Sequence, residues 1–382
     1  MSPGGLRRLP WLGRLPYCIV THTHLHTRIT YYNKMETQQQ NPAELAKSQF
    51  LKFTSQKLSI NDFTLENNLP TPRRKHRRVS SSPKVSLGTP DIFPNEVLSY
   101  ILTQLDLRTL TNFHYVNRRA RYLAASLPHY KYIHTHARNV LRSILGTSMR
   151  PWITLETLYQ ALCTAECASC GAFGGYLYLL TCTRVCYLCF TEHDSYLPQR
   201  RLQAMRRFAL TRPLLNTLPQ MLSRAGTYST GARNYRARLN LVDGKSAWQA
   251  GVALHGSVAA MEDRVREVAE QKLARWTSKS STKSSARRPH RTGAPRDDRE
   301  ENPLRFMAVV RAPWLDRSSQ SVEWGAYCKG CKDMFNPDGD FQISSELPLH
   351  FRRMFTEASF DAHLRQYGAI RKGKHRTFTR TK

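Results

Sequence analysis

Two cysteine pairs near the middle of the chain have the spacing of a metal grip: Cys167-Ala-Ser-Cys170 and, fifteen residues on, Cys186-Tyr-Leu-Cys189. Two thiolates two residues apart can hold one ion while the turn's amides face the sulfurs, and Gly171 permits that turn. A CxxC…CxxC pair at this separation points to zinc. All four ligands would be protein sulfurs with no position left for water, so the expected site is structural, not catalytic. Cys328-Lys-Gly-Cys331 is a further knuckle, with His350 and His363 downstream. Cys328, Cys331 and His363 form the candidate second site. Cys163, beside Leu162, reads as a core cysteine. Cys182 has three open readings: a stand-in for a knuckle ligand, a ligand of a second ion, or a packing residue.

The elements that must position these groups follow from apolar periodicity. Gly174-Gly175 marks a turn and residues 176–180 alternate like a strand, so a hairpin is expected to bring the two knuckles together. Upstream, Asp91-Ile-Phe93-Pro94-Asn-Glu96 reads as a helix start, with Pro94 in the first turn and Glu96 at the positive end of the dipole. Phe93, Val97, Leu98, Ile101, Leu102 and Leu105 follow at helical spacing as one stripe. Asp106 caps a second series, Leu107, Leu110, Phe113 and Val116. Asn117 caps a third helix, with Ala120, Leu123 and Ala124 facing inward. Further helices are expected over 130–145, 153–163, 202–222 with a break at Pro213, and 247–276, whose apolar positions include Val252, Met261, Val265 and Val268. The fold class is therefore mainly α: a three-helix bundle, then a mostly helical domain carrying a small β-hairpin zinc module.

The expected domain plan is a disordered basic leader over 1–88, the bundle over 89–135, a helical domain over 136–276 with its zinc module at 163–190, a disordered linker over 277–302, a segment with the second CxxC over 303–370, and an unstructured basic tail over 371–382. Lys and Arg number 58 against 28 acidic residues, a net charge of +30. That imbalance favours polyanion partners wherever it is not spent on solvated tails. Residues 1–34 lack acidic residues and resemble a mitochondrial presequence, against which stand Pro3, Pro10 and Pro16; Met35 is an alternative start. Arg73-Arg-Lys-His-Arg-Arg78, leading into Ser80-Ser-Ser82, has the composition of a nuclear-import signal or a kinase site. Nucleus and cytoplasm are the expected locations. No stretch qualifies as a membrane span, and the cysteine pattern speaks for metal over secreted disulfides. No nucleophile–base pair, phosphate loop or open metal site appears, so an enzyme is not expected.

The segment Phe93-Pro-Asn-Glu-Val-Leu98, Ile101-Leu102, Leu105-Asp106, Leu110 and Val116-Asn-Arg-Arg119 resembles the F-box. The region beyond it is similar to the cysteine-containing F-box proteins of filamentous fungi: Cys167-x-x-Cys170-Gly-x-Phe-Gly-Gly175, Cys182-Thr-Arg184-Val-Cys186-x-x-Cys189, Leu241-Val-Asp243, His255-Gly256 and Trp324-Gly-x-x-Cys328-x-Gly-Cys331. In that family a final His and Cys often follow the last CxxC; here His363 fits, but Tyr367 stands at the expected cysteine. The resemblance implies a substrate-receptor subunit of an SCF-type ubiquitin ligase. It would dock on a Skp-type adaptor, and through it cullin, by way of Phe93, Pro94, Val97, Leu98, Ile101, Leu110 and Val116, and would recruit an unknown protein substrate. The competing expectation is a nuclear, nucleic-acid-binding zinc protein, drawn from the charge and from basic runs such as 371–382.

Overall fold

Capping residues set the helical boundaries of the bundle in the structure, a computed structural model that describes residues 42–57, 63–71, 85–228, 233–280, 302–334 and 351–376. The chain divides into two units, 1–49 and 50–382. In the first, the described residues are the opening part of helix α1 (Pro42–Phe53). In the second, helices α2 (Asn95–Gln104), α3 (Leu107–His114) and α4 (Arg118–Ser126) follow one another through tight links. The Asp106 carboxylate accepts from the amides of Arg108 and Thr109, both at 2.9 Å. The Asn117 side chain accepts from Ala120 N at 2.8 Å. Each satisfies helix-start amides that would otherwise lack partners. As expected, Ala120, Leu123 and Ala124 face inward.

Helices α5 (Pro128–His136), α6 (Arg138–Gly146) and α7 (Leu155–Cys163) extend the bundle toward the cysteines. The region expected as one helix over 130–145 is thus two, broken at Ala137, whose ψ of 36° leaves the helical range. Among the described residues the secondary structure is mainly helical with small separate sheets. Strand β2 (Tyr176–Tyr178) lies between β3 (Thr183–Val185) and β9 (Val309–Arg311), antiparallel to both. β2 pairs with a strand more than 130 residues away, so the 303–370 segment is built into the first cysteine module instead of standing apart. One apolar core runs from Leu98 through Tyr176 and Phe306 to Phe360. A smaller one holds Phe208, Leu215, Val242 and Met261.

Two further expected helices differ. The 202–222 helix is replaced by Arg201–Arg207, Arg212–Asn216 and the strand Gln220–Leu222. Pro213 sits in the first turn of the second of these helices, capped by Thr211, where its missing amide costs nothing. The 247–276 helix starts earlier and is divided into Gly244–His255 and Val258–Ser280 by Gly256, which takes φ +85° as a left-handed cap. Helix therefore reaches four residues into the expected 277–302 linker; positions 281–301 lie outside the described residues, as do 1–34, Arg73–Arg78, Ser80–Ser82 and His350.

The leader expected to be disordered over 1–88 contains folded segments. Besides α1, strand β1 (Thr54–Ser55) pairs with β12 (Ala326–Cys328), and a 3₁₀ turn Leu65–Asn68 buries Leu65 completely. The Asn68 amide accepts from Thr227 N at 2.9 Å and donates to Thr227 O at 2.8 Å, as a strand neighbour would. A polar average hid Phe50, Phe53 and Leu65, which all pack on the core. Beside Leu65, the Glu66 carboxyl accepts from Arg311 N at 3.1 Å while its second oxygen is buried without a hydrogen bond. Burial pushes this carboxyl above its ordinary pKa. A carboxyl raised on folding stabilises at pH below its unfolded value and loses that contribution as pH climbs through the folded one. Glu66→Gln is therefore expected to raise the unfolding free energy at pH 7, read from urea denaturation, by about 1 kcal/mol, with the gain shrinking as the pH falls toward 4.

Candidate metal centres

The first centre is assembled by the hairpin and its two flanking turns. Cys167 N donates to Ala172 O at 2.7 Å, and Gly171 N closes the turn back to Cys167 O at 3.0 Å. Gly171 takes φ +70°, the left-handed conformation that glycine adopts without strain. Ala168 N donates to Arg184 O at 2.9 Å, which stitches the first knuckle to β3. The second knuckle opens helix α8 (Tyr187–Glu192), with Cys186 at its cap accepting from Cys189 N at 3.4 Å. The sulfurs of Cys170 and Cys186 are 3.6 Å apart, and the four sulfurs of Cys167, Cys170, Cys186 and Cys189 all lie within 4.8 Å of one another. Cys170 alone of the four is exposed.

Sulfurs this close share protons unequally. Hydrogen bonds from Cys186 and Cys189 hold the Cys167 thiol far below its ordinary range. Cys167 in turn pushes Cys186 up to about 12 and Cys189 further still. Negative charge gathers on one sulfur ringed by donors, an arrangement that a bound dication relieves. Cys182 belongs to neither centre. It sits in the β2–β3 turn at φ +54°, and burial pushes its thiol up to about 12. Of its three readings, packing is the one the geometry matches.

The second centre joins residues far apart in the chain. β12 ends at Cys328, and helix α14 (Lys329–Met334) carries Cys331. Helix α15 (Glu357–Tyr367) carries His363 one turn after Phe360, which packs in the core. The fourth member is His375, on a hairpin of β14 (Ile370–Arg371) and β15 (Lys374–His375). His375 Nε2 lies 3.2 Å from Cys328 Sγ, 3.4 Å from Cys331 Sγ and 3.2 Å from His363 Nε2, and Cys331 Sγ lies 3.4 Å from His363 Nε2. All four are buried.

The expected tail over 371–382 is thus structured as far as residue 376, and it supplies a ligand that sequence reading missed. Lys372 (φ +49°) and Gly373 (φ +81°) make a two-residue turn with both residues left-handed, the geometry that closes tight hairpins. Lys-Gly between Ile370 and His375 was the available signal, but it lay inside a basic run. Tyr367, at the position where the fourth ligand was expected, instead puts its ring 4.9 Å from that of His363. Gly330 of the CxxC turn is required for a different reason than the turn itself: a Cβ there would lie 3.0 Å from His375 Nε2.

The donor set fits a cation. His375 Nδ1 lies 2.7 Å from Gly368 O, which places the proton on that nitrogen and turns the Nε2 lone pair inward. Cys331 draws the Cys328 thiol down to about 3 and is itself raised by it. Burial lowers the His375 pKa, but bonds to Cys328 and Gly368 outweigh it, and the net direction is up. Both clusters could therefore hold a metal ion through four protein ligands, with no open position for chemistry. The two centres are linked by Tyr176 of β2 and Tyr327, the neighbour of Cys328, whose hydroxyls are 2.8 Å apart.

The bundle places the other candidate residues. Leu98 and Leu110 are 6% and 2% exposed and belong to the core. Phe93, Val97, Ile101 and Val116 are between 41% and 68% exposed, and Pro94 is exposed with them. Ile92, Tyr100 and Tyr115 add further uncovered apolar surface on the same small bundle. Compared with family models, curated proteins and solved structures, the chain matches none. No described helix is long and apolar enough to cross a membrane.

Proposed function

We propose that the chain is a non-catalytic adaptor, the substrate-receptor subunit of an SCF-type ubiquitin ligase, built on two structural zinc ions. The observation that carries this reading is the two-sidedness of α2. A helix advances about 100° per residue, so Leu98 and Leu102 share one face and Val97 and Ile101 another. The first face is buried and the second is exposed. An apolar helix face left uncovered beside a complete core is the mark of a protein-docking surface. The F-box resemblance names the partner as a Skp-type adaptor, and cullin through it. Zinc suits both centres because S₄ and S₂N₂ donor sets favour it. Binding of purified adaptor to the zinc-loaded chain, with and without outward-facing substitutions on α2, tests the reading.

A second reading, a nucleic-acid-binding zinc protein, draws on one observation. Arg371, Lys372, Lys374 and Arg376 line one recess on the hairpin that carries His375. Under that reading the double variant Lys372→Glu/Lys374→Glu, which leaves the ligands in place, lowers the salt slope of DNA or RNA affinity by about two. An unchanged slope, measured by fluorescence anisotropy, removes it.

A further inference from the structure

A cleft of about 670 Å³ opens between the turn of the first cysteine knuckle, the hairpin of β10 (Trp314–Leu315) with β11 (Val322–Glu323), and helix α15. In the hairpin Trp314 pairs with Glu323, and Asp316 N donates to Ser321 O at 3.0 Å, which carries the pairing one step on. Side chains alternate along a strand and paired residues share a face, so Trp314, Asp316 and Glu323 project together. Trp314 Nε1 donates to Cys163 O at 3.1 Å, which fixes the indole. On α15, Ala358, Ala362 and Gln366 recur at four-residue spacing as one stripe along the cleft. The two alanines are exposed, and their short side chains leave room beside the helix. The third wall is the bridge that pairs Glu166 with Phe173. The Phe173 ring rests against Gly325, where an added Cβ would collide with it.

Charge in the cleft runs against the rest of the chain. Glu166, Asp316 and Glu323 line it beside one guanidinium, that of Arg353, in a protein of net charge +30. Among the described residues none of the three carboxylates is in an ion pair. Bonds from Ser319 and Ser318 hold the Asp316 carboxyl down to about 2. Glu323 accepts from Glu357 N at 3.3 Å, and burial pushes its carboxyl above the ordinary range. A cation beside it would offset that cost. The cleft also holds the rings of Phe173, Trp314 and Tyr367. Rings next to carboxylates suit a guanidinium, which stacks on an aromatic face and grips carboxylates through a planar fork.

We propose that the cleft binds an arginine-bearing segment of a partner protein. Resting on the receptor reading above, that segment is the recognition element of the ubiquitination substrate. Its guanidinium stacks among the rings and donates to Asp316 and Glu323, while the alanine stripe of α15 gives its backbone room. Lysine fits less well, because an ammonium is a compact point charge without the planar fork.

Random dodecapeptides displayed on phage, selected on the zinc-loaded full-length chain, provide the probe. Arginine is expected to be enriched among them. The tightest peptide, labelled with fluorescein, is then titrated by anisotropy into the chain alone, without adaptor. Replacing its arginine with lysine should weaken binding about fivefold. The variant Asp316→Asn/Glu323→Gln should weaken it at least about tenfold, with zinc content and circular dichroism unchanged. Ala358→Trp, at an exposed position, fills the cleft without altering its charge and should act in the same direction; if the double variant fails to fold, it decides alone. A selection without arginine enrichment, such as the acidic peptides that net charge alone would favour, overturns the proposal. So does full-strength binding by either folded variant. Self-association of the unaltered chain that the same variants abolish would also overturn it, since a second copy would then be the occupant. No adaptor enters these titrations, so failure at α2 and failure at the cleft are read separately.

Discussion

The purified chain will carry two zinc ions, and stripping them will unfold most of residues 50–382. A structural zinc site contributes roughly 10–16 kcal/mol of binding free energy, which matches or exceeds the ~5–15 kcal/mol by which a whole domain is stable. The two centres also share a core: the hairpin of the first pairs with β9, and Tyr176 meets Tyr327 beside the second. Chelation is therefore expected to give one cooperative loss of structure by circular dichroism instead of two steps. Cys186→Ser and His375→Ala should each lower the zinc count to one per chain. Gly330→Ala should weaken zinc retention at the second centre less than His375→Ala does, because its Cβ would crowd Ile370 Cγ1 at 2.9 Å and the His375 ring at 3.0 Å. Tyr367→Phe should leave the count at two, since that ring packs beside His363 and reaches no ion. Elemental analysis that returned iron, or a folded protein without metal, would sink the assignment; a count of one in the unaltered chain would remove the second centre.

What could be read from the sequence depended on how local each determinant was. The Cys167–Cys189 centre was legible in full because both knuckles and the hairpin between them lie within 23 residues, and each CxxC announces its own geometry. The second centre was legible only as far as His363. Its fourth ligand depends on a turn at Lys372-Gly373, where lysine occupies a left-handed position that asparagine or aspartate would have advertised. Strand pairings such as β2 with β9, and β1 with β12, join segments more than 130 and 270 residues apart, and nothing in a local pattern registers them. The break at Ala137 was missed because alanine carries no breaker signature, whereas Gly256 offered a local one that the long apolar series of 247–276 overrode. The bundle was the intermediate case. Periodicity located its helices and caps, but a stripe that includes Val97, Leu98, Ile101 and Leu102 does not say which half is core.

That division decides how the docking surface must be tested. Leu98 lies in the core among Leu102, Leu107 and Leu110. A charge there would be buried without a partner and would cost upwards of about 4 kcal/mol, so any loss of binding by Leu98→Asp would report unfolding. Val97 and Ile101 are 41% and 43% exposed. Placing Asp at both leaves the core intact, with an expected stability change within about 0.5 kcal/mol at each position. At the centre of an interface, truncating an apolar anchor costs about 2 kcal/mol or more, and a desolvated carboxylate costs more than truncation. The double variant Val97→Asp/Ile101→Asp is therefore expected to weaken adaptor binding at least about a hundredfold while zinc content and thermal midpoint stay near those of the parent. Val116→Asp, on the loop before Asn117, should act in the same direction with a smaller effect, since it lies off the helix that presents the other anchors. Isothermal titration with purified adaptor measures the loss, and circular dichroism on the same samples separates it from unfolding. Full-strength binding by the folded double variant would show that this face of α2 faces something else, and the ubiquitin-ligase reading would fall with it.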